Sequence, residues 1–348
     1  MVMAFHFLRI PVPHHHWLDY PTRIFAIGFG GVDVFLVLSG FLVGGILIDT
    51  RGRPQALRNF LIRRLLRIIP LYAVTVGLFY AARAAFGGGW LFDGAPPWWV
   101  YVTLTQDFAT PLLHADSWFL GPTWSLAVEL QIYILLGVVL TFSPKRTIVP
   151  LMVAGVFVAW VLRALAAASD HGLFGYFTMP ARIDAACVGV LIAALLRSDR
   201  ATGVPQHRSA LLAVAALLFG SATIVAAAGQ GIGSVMANLF IHSALTLGSA
   251  ALIAVLATTD AGSLGKVLRA GPAIGLGKIS YGVYLLHKPV VGTLFAALGF
   301  DTLLLDTPSA AALCVAGIVI TIAVAAGSWR WFESPIIRWS HRLTRSDR

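Results

Sequence analysis

The chain has 348 residues, 58% of them hydrophobic and 11% charged, and a mean hydropathy of +0.83; a soluble domain carries about 25% charged residues, so a water-soluble globular fold is excluded. Its net charge of +10 speaks about partners only once it is placed along the chain. The two cysteines, Cys187 and Cys314, both lie in apolar runs, which argues against a disulfide framework or a zinc site and for small packed residues.

A helix rising about 1.5 Å per residue needs about 20 apolar residues to cross the hydrocarbon. The chain opens on a short apolar run, 1–10, which predicts a helix of about half a bilayer, like the second half of a helix whose beginning is absent. It lacks the basic, apolar and cleavage regions of a secretory signal. Spans are predicted near 32–49, 68–86, 123–142, 147–168, 181–197, 209–229, 233–256, 275–298 and 309–328. Between the third and fourth spans, Gly87 to Pro122 is too broken to cross, and its Trp90, Trp98, Trp99 and Trp118 suit a membrane interface. The expectation is an all-α, polytopic integral membrane protein of about ten transmembrane helices, the first truncated. One membrane domain is expected over 1–335, with a basic cytoplasmic tail over 336–348.

Orientation follows from the basic residues. The segments 51–67, 143–146, 197–208, 257–278 and 329–348 hold 19 of the 25 lysines and arginines, whereas 11–31, 87–122, 169–180, 230–232 and 299–308 hold only Arg23. That alternation is the positive-inside pattern, and it puts both termini in the cytoplasm. The basic excess then faces anionic lipid headgroups or a cytosolic anionic ligand rather than nucleic acid.

Charge inside a membrane helix costs roughly 2.5–3.5 kcal/mol even on a mild scale, so such residues are functional candidates. Asp33 opens the second span, Glu129 lies about two turns into the fourth, Arg182 and Asp184 open the sixth, and His6 lies in the first apolar run. His287 and Lys288 interrupt the ninth span ahead of Pro289, which predicts a kink. Plainer readings stand beside these: Asp33 and Arg182 are near span ends, where side chains snorkel, and a helix histidine such as His287 is often a packing group. The run His14-His15-His16 has no carboxylate at ligand spacing and reads as a polar loop, so no metal is expected. Arg58, Arg63, Arg64 and Arg67 precede Ile68-Ile69-Pro70 at the cytoplasmic edge. Arginine forks bind phosphate oxygens bidentately, and helical spacing brings Arg63, Arg64 and Arg67 toward one face, although topology and lipid contact also call for basic residues there.

Six motifs occur in order. They are Val2-Met3-Ala4-Phe5-His6-Phe7, the run Gly31-Val32-Asp33 through Ser39-Gly40-Phe41-Leu42, Arg63-Arg64-Leu65-Leu66-Arg67-Ile68-Ile69-Pro70, Thr123-Trp124-Ser125-Leu126-Ala127-Val128-Glu129, Ile279-Ser280-Tyr281-Gly282 through His287-Lys288-Pro289, and Phe332-Glu333-Ser334-Pro335. In these the chain resembles the acyltransferase-3 family of bacterial membrane O-acyltransferases over nearly its whole length. The resemblance implies a multi-pass protein of the bacterial inner membrane that moves an acyl group, commonly acetyl from acetyl-CoA, to a hydroxyl of an extracytoplasmic glycan or other envelope molecule. It implies His6 and Glu129 as catalytic residues, Asp33 as a close supporting group, and Arg63, Arg64 and Arg67 as donor-binding residues. Two departures accompany it: the arginine usual about ten residues before the first-helix histidine has no counterpart in this sequence, and Lys288 stands where an aromatic residue is usual. Many members carry an extra hydrolase-like domain, for which the stretch of about 20 residues after the last span is too short.

Acyl transfer to a hydroxyl requires a base, a stabiliser for the oxyanion and a positioned thioester. Imidazole titrates near neutral pH, which suits His6 as base, and a carboxylate such as Glu129 or Asp33 would orient it. No nucleophilic cysteine or serine elbow is evident, so direct transfer is expected. Ser39, Trp124, Ser125, Tyr281 and His287 are candidates for substrate or oxyanion contacts. The predicted spans put His6, Asp33 and Glu129 toward the outer half and the arginines at the inner edge, so the donor's nucleotide stays cytosolic while its thioester arm reaches between helices. A transporter of an acyl donor or lipid-linked sugar, or an inactive relative, are the alternatives. Membrane lipids are expected partners, and no protein partner is inferable.

Overall fold

The computed structural model describes residues 1–8, 23–259, 262–301, 303 and 307–344; the His14-His15-His16 run and residues 345–348 of the predicted tail lie outside them. Among the described residues every regular element is helical. In order these are α1 (Val2–Leu8), a 3-10 turn Arg23–Gly30 that leads into α2 (Gly31–Asp49), α3 (Ala56–Phe86), α4 (Trp98–Val102), α5 (Gln106–Leu113), α6 (Thr123–Phe142), α7 (Lys145–Ala168), α8 (Gly172–Phe177) and α9 (Met179–Leu195). There follow a 3-10 turn Asp199–Thr202 into α10 (Gly203–Gln206), α11 (Arg208–Ala227), a π-turn Ala237–Ile241 into α12 (His242–Thr258), α13 (Gly262–Leu268), α14 (Gly271–Ala297), α15 (Pro308–Ser328) and, after a π-turn Trp329–Glu333, α16 (Ser334–Leu343).

Eight of the described helices are long and apolar enough to cross a membrane, so the protein is a multi-pass membrane protein. The helix over the predicted fourth span, Thr123–Phe142, keeps the predicted limits. The predicted ninth span is the helix α14, which is not among those eight because Lys278, Ser280, Tyr281, His287 and Lys288 dilute its apolar content. It runs through Pro289 as one assigned helix. Helix α3 starts at Ala56, well ahead of the predicted 68, because 57–69 is rich in leucine, isoleucine and arginine and holds no glycine or proline. The arginine-rich stretch is therefore helix rather than loop. Most of the predicted tail is helix too, as α16.

The chain divides into two compact units. The first comprises Met1–Phe5, Thr22–Leu61 and Val128–Ala270. Its helices α2 and α9 approach to backbone contact: a Cβ on Gly40 would strike the Ala186 carbonyl, and one on Gly189 would strike the Val37 carbonyl. Small residues at such crossings let membrane helices gain dispersion contacts that lipid cannot supply. Gly155 of α7 likewise makes room for the Cys187 sulfur, 2.7 Å from where its Cβ would stand. Leu217 and Ile224 on α11 and Phe157 and Trp160 on α7 are exposed and face lipid.

The second unit comprises His6–Pro21, Ile62–Ala127 and Gly271–Arg348. Its core gathers Leu71, Tyr72, Phe79, Tyr101, Phe119 and Leu285. Trp98 and Trp99 are exposed, as an interface requires, while Trp90 donates to the Phe300 carbonyl at 3.0 Å. Gly282 lets Glu333 and Ala325 close on α14, each 3.2 Å from the position a Cβ would take. Both cysteines are buried and unbridged.

Candidate active site

In the first unit the costly charges neutralise one another. Arg182 Nη2 lies 2.7 Å from Asp33 Oδ1, and His242 Nδ1 lies 3.0 Å from Asp33 Oδ2. A carboxylate oxygen accepts only, so His242 carries its proton on Nδ1. Beside this group Arg163 donates from Nη2 to Asp184 at 2.7 Å, from Nη1 to the Ala181 carbonyl at 2.7 Å and from Nε to the Asn238 carbonyl at 2.9 Å. All these side chains are buried. They come from α2, α7, α9 and α12, so a lattice of two arginines and two aspartates ties four membrane helices together. Charges this deep persist only when paired.

Glu129 has a different setting. Tyr133, one turn along α6, donates its phenolic proton to Glu129 Oε1, the i, i+4 spacing placing both on one face. Ser39 Oγ lies 2.7 Å from the same phenolic oxygen. Since the phenolic proton goes to the carboxylate, Ser39 donates to Tyr133. The hydroxyl proton of Ser39 is thereby committed to the phenol.

In the second unit His6 meets His287. His6 Nδ1 is 2.7 Å from His287 Nε2, and the rings are nearly parallel at 13°. Phe7 packs edge-on against His287, which is fully buried. His287 Nδ1 is 2.6 Å from the Tyr284 carbonyl, an acceptor only, so Nδ1 of His287 holds a proton. Neutral His287 then has its lone pair on Nε2 and accepts from His6 Nδ1–H. It follows that neutral His6 carries its own lone pair on Nε2. The hydroxyl of Tyr284 stands 2.5 Å from that of Ser125, and both reach the Pro122 carbonyl, at 3.1 and 3.2 Å. The chemistry available is a base of defined tautomer with a hydroxyl pair on the elements that hold its partner.

The remaining sequence candidates are placed as follows. Tyr281 donates to the Ile68 carbonyl at 2.6 Å and so joins α14 to α3. Trp124 is buried in the first turn of α6. Arg63 and Arg67 are exposed and Arg64 half-buried, and Arg63 Nε donates to Thr344 Oγ1 at 2.7 Å. His6 and His287 come together, and Ser125 joins the same unit through Tyr284; Asp33, Ser39 and Glu129 belong to the first unit. Sequence reasoning missed Tyr133, Arg163, His242 and Tyr284. Tyr133 could have been found from its i+4 spacing to Glu129, and Arg163 and His242 from their places inside apolar spans; Tyr284 gave no separate signal.

The acyltransferase domain family matches residues 1–327. O-acetyltransferase OatA of Staphylococcus aureus is 25% identical over 340 residues, 89% of this chain and 52% of that protein. Acyltransferase MdmB of Streptomyces mycarofaciens is 26% identical over 91% of this chain and 82% of its own length. Exopolysaccharide production protein ExoZ of Rhizobium meliloti is 27% identical over 93% of this chain and 94% of its own. The chain spans about half the length of the OatA relatives. No solved structure matches it. With its six motifs in order on a membrane scaffold of helices, the chain belongs to the acyltransferase-3 family.

Proposed function

We propose that the protein transfers an acyl group, acetyl from acetyl-CoA in the simplest case, to a hydroxyl of an envelope carbohydrate or related molecule on the extracytoplasmic side of the bacterial inner membrane. The observation that carries this reading is the histidine pair: the Tyr284 carbonyl sets the tautomer of His287, and His287 sets that of His6. As the acceptor oxygen bonds to the acyl carbon, its proton passes to His6 Nε2. The carbon–sulfur bond then breaks, and the departing thiolate takes that proton back. Throughout, His6 Nδ1–H continues to donate to His287, which steadies the imidazolium in the transition state.

The hydroxyls of Ser125 and Tyr284 share one carbonyl, so a proton can swing from it toward the developing oxyanion. Glu129, held by Tyr133, is the carboxylate that the family resemblance points to. Asp33 acts by fixing α2 in the charged lattice. Arg63, Arg64 and Arg67 on the amino-terminal part of α3 take the phosphates of the coenzyme. The relatives, an O-acetyltransferase, an acyltransferase and an exopolysaccharide production protein, support acyl transfer to an envelope polymer.

The test is free-thiol release from acetyl-CoA by the detergent-purified protein, with and without an envelope-carbohydrate extract. Acceptor-dependent release that collapses in His6→Ala is expected. Equal release by wild type and His6→Ala would remove His6 as the base.

A further inference from the structure

Next to the Ser125–Tyr284 pair the second unit contains a cleft that none of the residues assigned above explains. It lies between α4, α5 and the first turn of α6, is lined by Tyr101, Gln106, Thr110, Ser117, Thr123 and Trp124 among others, and encloses about 180 Å³ of empty space including its mouth. The part of it in which the centre of a water-sized group can stand is about 10 Å³, and holding one water takes about 10–15 Å³ by that measure, so the cleft takes a single small polar group and not a whole sugar ring. Most of its walls are polar, in a unit whose core is otherwise aromatic and aliphatic.

Gln106 shows which polar group fits. Its side chain is 2% exposed. Its amide nitrogen lies 3.0 Å from the Thr123 carbonyl and 3.1 Å from the Tyr72 hydroxyl. The carbonyl can only accept, and the Tyr72 hydroxyl donates its own proton to the Tyr101 carbonyl at 2.8 Å. Both neighbours thus require donors from Gln106, and the amide cannot be flipped. The oxygen Oε1 is left pointing the other way, buried and without a hydrogen-bond partner among the described residues. A buried acceptor left unmatched costs about 1–3 kcal/mol, so the position calls for a ligand that donates. Burial pushes the Tyr101 phenol pKa up, so the phenol stays neutral, and burial also pushes up the carboxyl of Asp116, which lines the cleft as well.

We propose that this cleft is a subsite for the acyl acceptor, receiving one neutral alcohol group, such as a hydroxymethyl of a carbohydrate, whose O–H donates to Gln106 Oε1. The proposal rests on the acyl-transfer reading above and names the acceptor chemistry of that site. Thr123, whose carbonyl fixes the Gln106 amide, shares the first turn of α6 with Ser125, which bonds to Tyr284. The anchored hydroxyl is therefore held by the same turn that carries the oxyanion pair. Because the cleft admits one such group, it reads a hydroxyl beside the reacting one.

The test uses the full chain in detergent with methyl glucoside as the probe, and reads the thermal unfolding midpoint. Methyl glucoside is expected to raise the wild-type midpoint, and its 6-deoxy analogue, which lacks the hydroxymethyl oxygen, to raise it less. Gln106→Met should weaken half-saturation by roughly tenfold, the loss of one hydrogen bond. Ala115→Leu, which fills the cleft and leaves Gln106 intact, should abolish the shift and guards against a folding defect in the first variant. No shift in wild type, or an equal shift in Ala115→Leu, would overturn the subsite. Thiol release from acetyl-CoA in the presence of an envelope-carbohydrate extract is measured in parallel. Silence there with an intact glucoside shift would count against acyl transfer alone, whereas release without a shift would count against the cleft alone.

Discussion

His6 donates from Nδ1 to Nε2 of His287 across 2.7 Å, so the second histidine decides which nitrogen of the first can act as a base. His287→Ala removes that control and should lower kcat for thiol release by about tenfold to a hundredfold, with little change in KM for the donor. His287→Gln offers an amide oxygen where Nε2 stood and should recover most of the rate. If His287→Ala turns over like wild type, the tautomer has no kinetic weight.

Arg182 and Asp33 form an ion pair that excludes water. Removing one member leaves the other charged and buried, a loss of about 3–5 kcal/mol. Arg182→Met should therefore unfold at markedly lower temperature in detergent. The double variant Arg182→Met with Asp33→Leu should be less harmed than Arg182→Met alone. A thermal scan in which the double variant is the worse of the two would show that the pair contributes more than mutual neutralisation.

Gly40 and Gly77 are both helical glycines with opposite surroundings. A methyl group at Gly40 would collide with the backbone of Ala186, whereas nothing lies within 4 Å of the Cβ position at Gly77. Gly40→Ala should cost about 1–3 kcal/mol through overpacking, and Gly77→Ala should gain up to about 1 kcal/mol from helix propensity. Denaturation of the two variants side by side checks the contact between α2 and α9.

Arg67 lies one turn along α3 from Arg63 and is exposed, so it can meet a phosphate with little rearrangement. Loss of one charge-assisted hydrogen bond, about 1.5–3 kcal/mol, implies a KM for acetyl-CoA raised roughly tenfold to a hundredfold in Arg67→Ala, with kcat nearly unchanged. Arg67→Lys should rescue only part, since an ammonium cannot grip bidentately. An unchanged KM in both would move the donor away from this face.

The helices were legible because the bilayer sets their length and leaves few alternatives: Thr123–Phe142 could be read from its apolar run alone. The amino-terminal part of α3 was not, because a hydropathy reading stops at Arg67 although arginine is a good helix former. His6, Asp33 and Glu129 stood out as charges or titratable groups in apolar sequence. What the sequence withheld were the partners. Nothing near Asp33 along the chain points to Arg182 or His242, and nothing near Gln106 reveals that its amide oxygen would be stranded. Such pairings depend on which helices cross, and crossing is set by small residues such as Gly40 and Gly189 whose neighbours lie far away in sequence.

The burial of Cys187 and Cys314 has a practical consequence for mapping the protein in its membrane. With both native thiols shut inside packed helices, a membrane-impermeant maleimide should leave the natural chain unmarked in intact cells. A single cysteine placed at exposed Trp98 would then be tagged from outside, and one placed at exposed Lys145 only after the cells are opened. The chain is thus a ready blank for reading sidedness, and the reverse labelling pattern would turn the whole topology over.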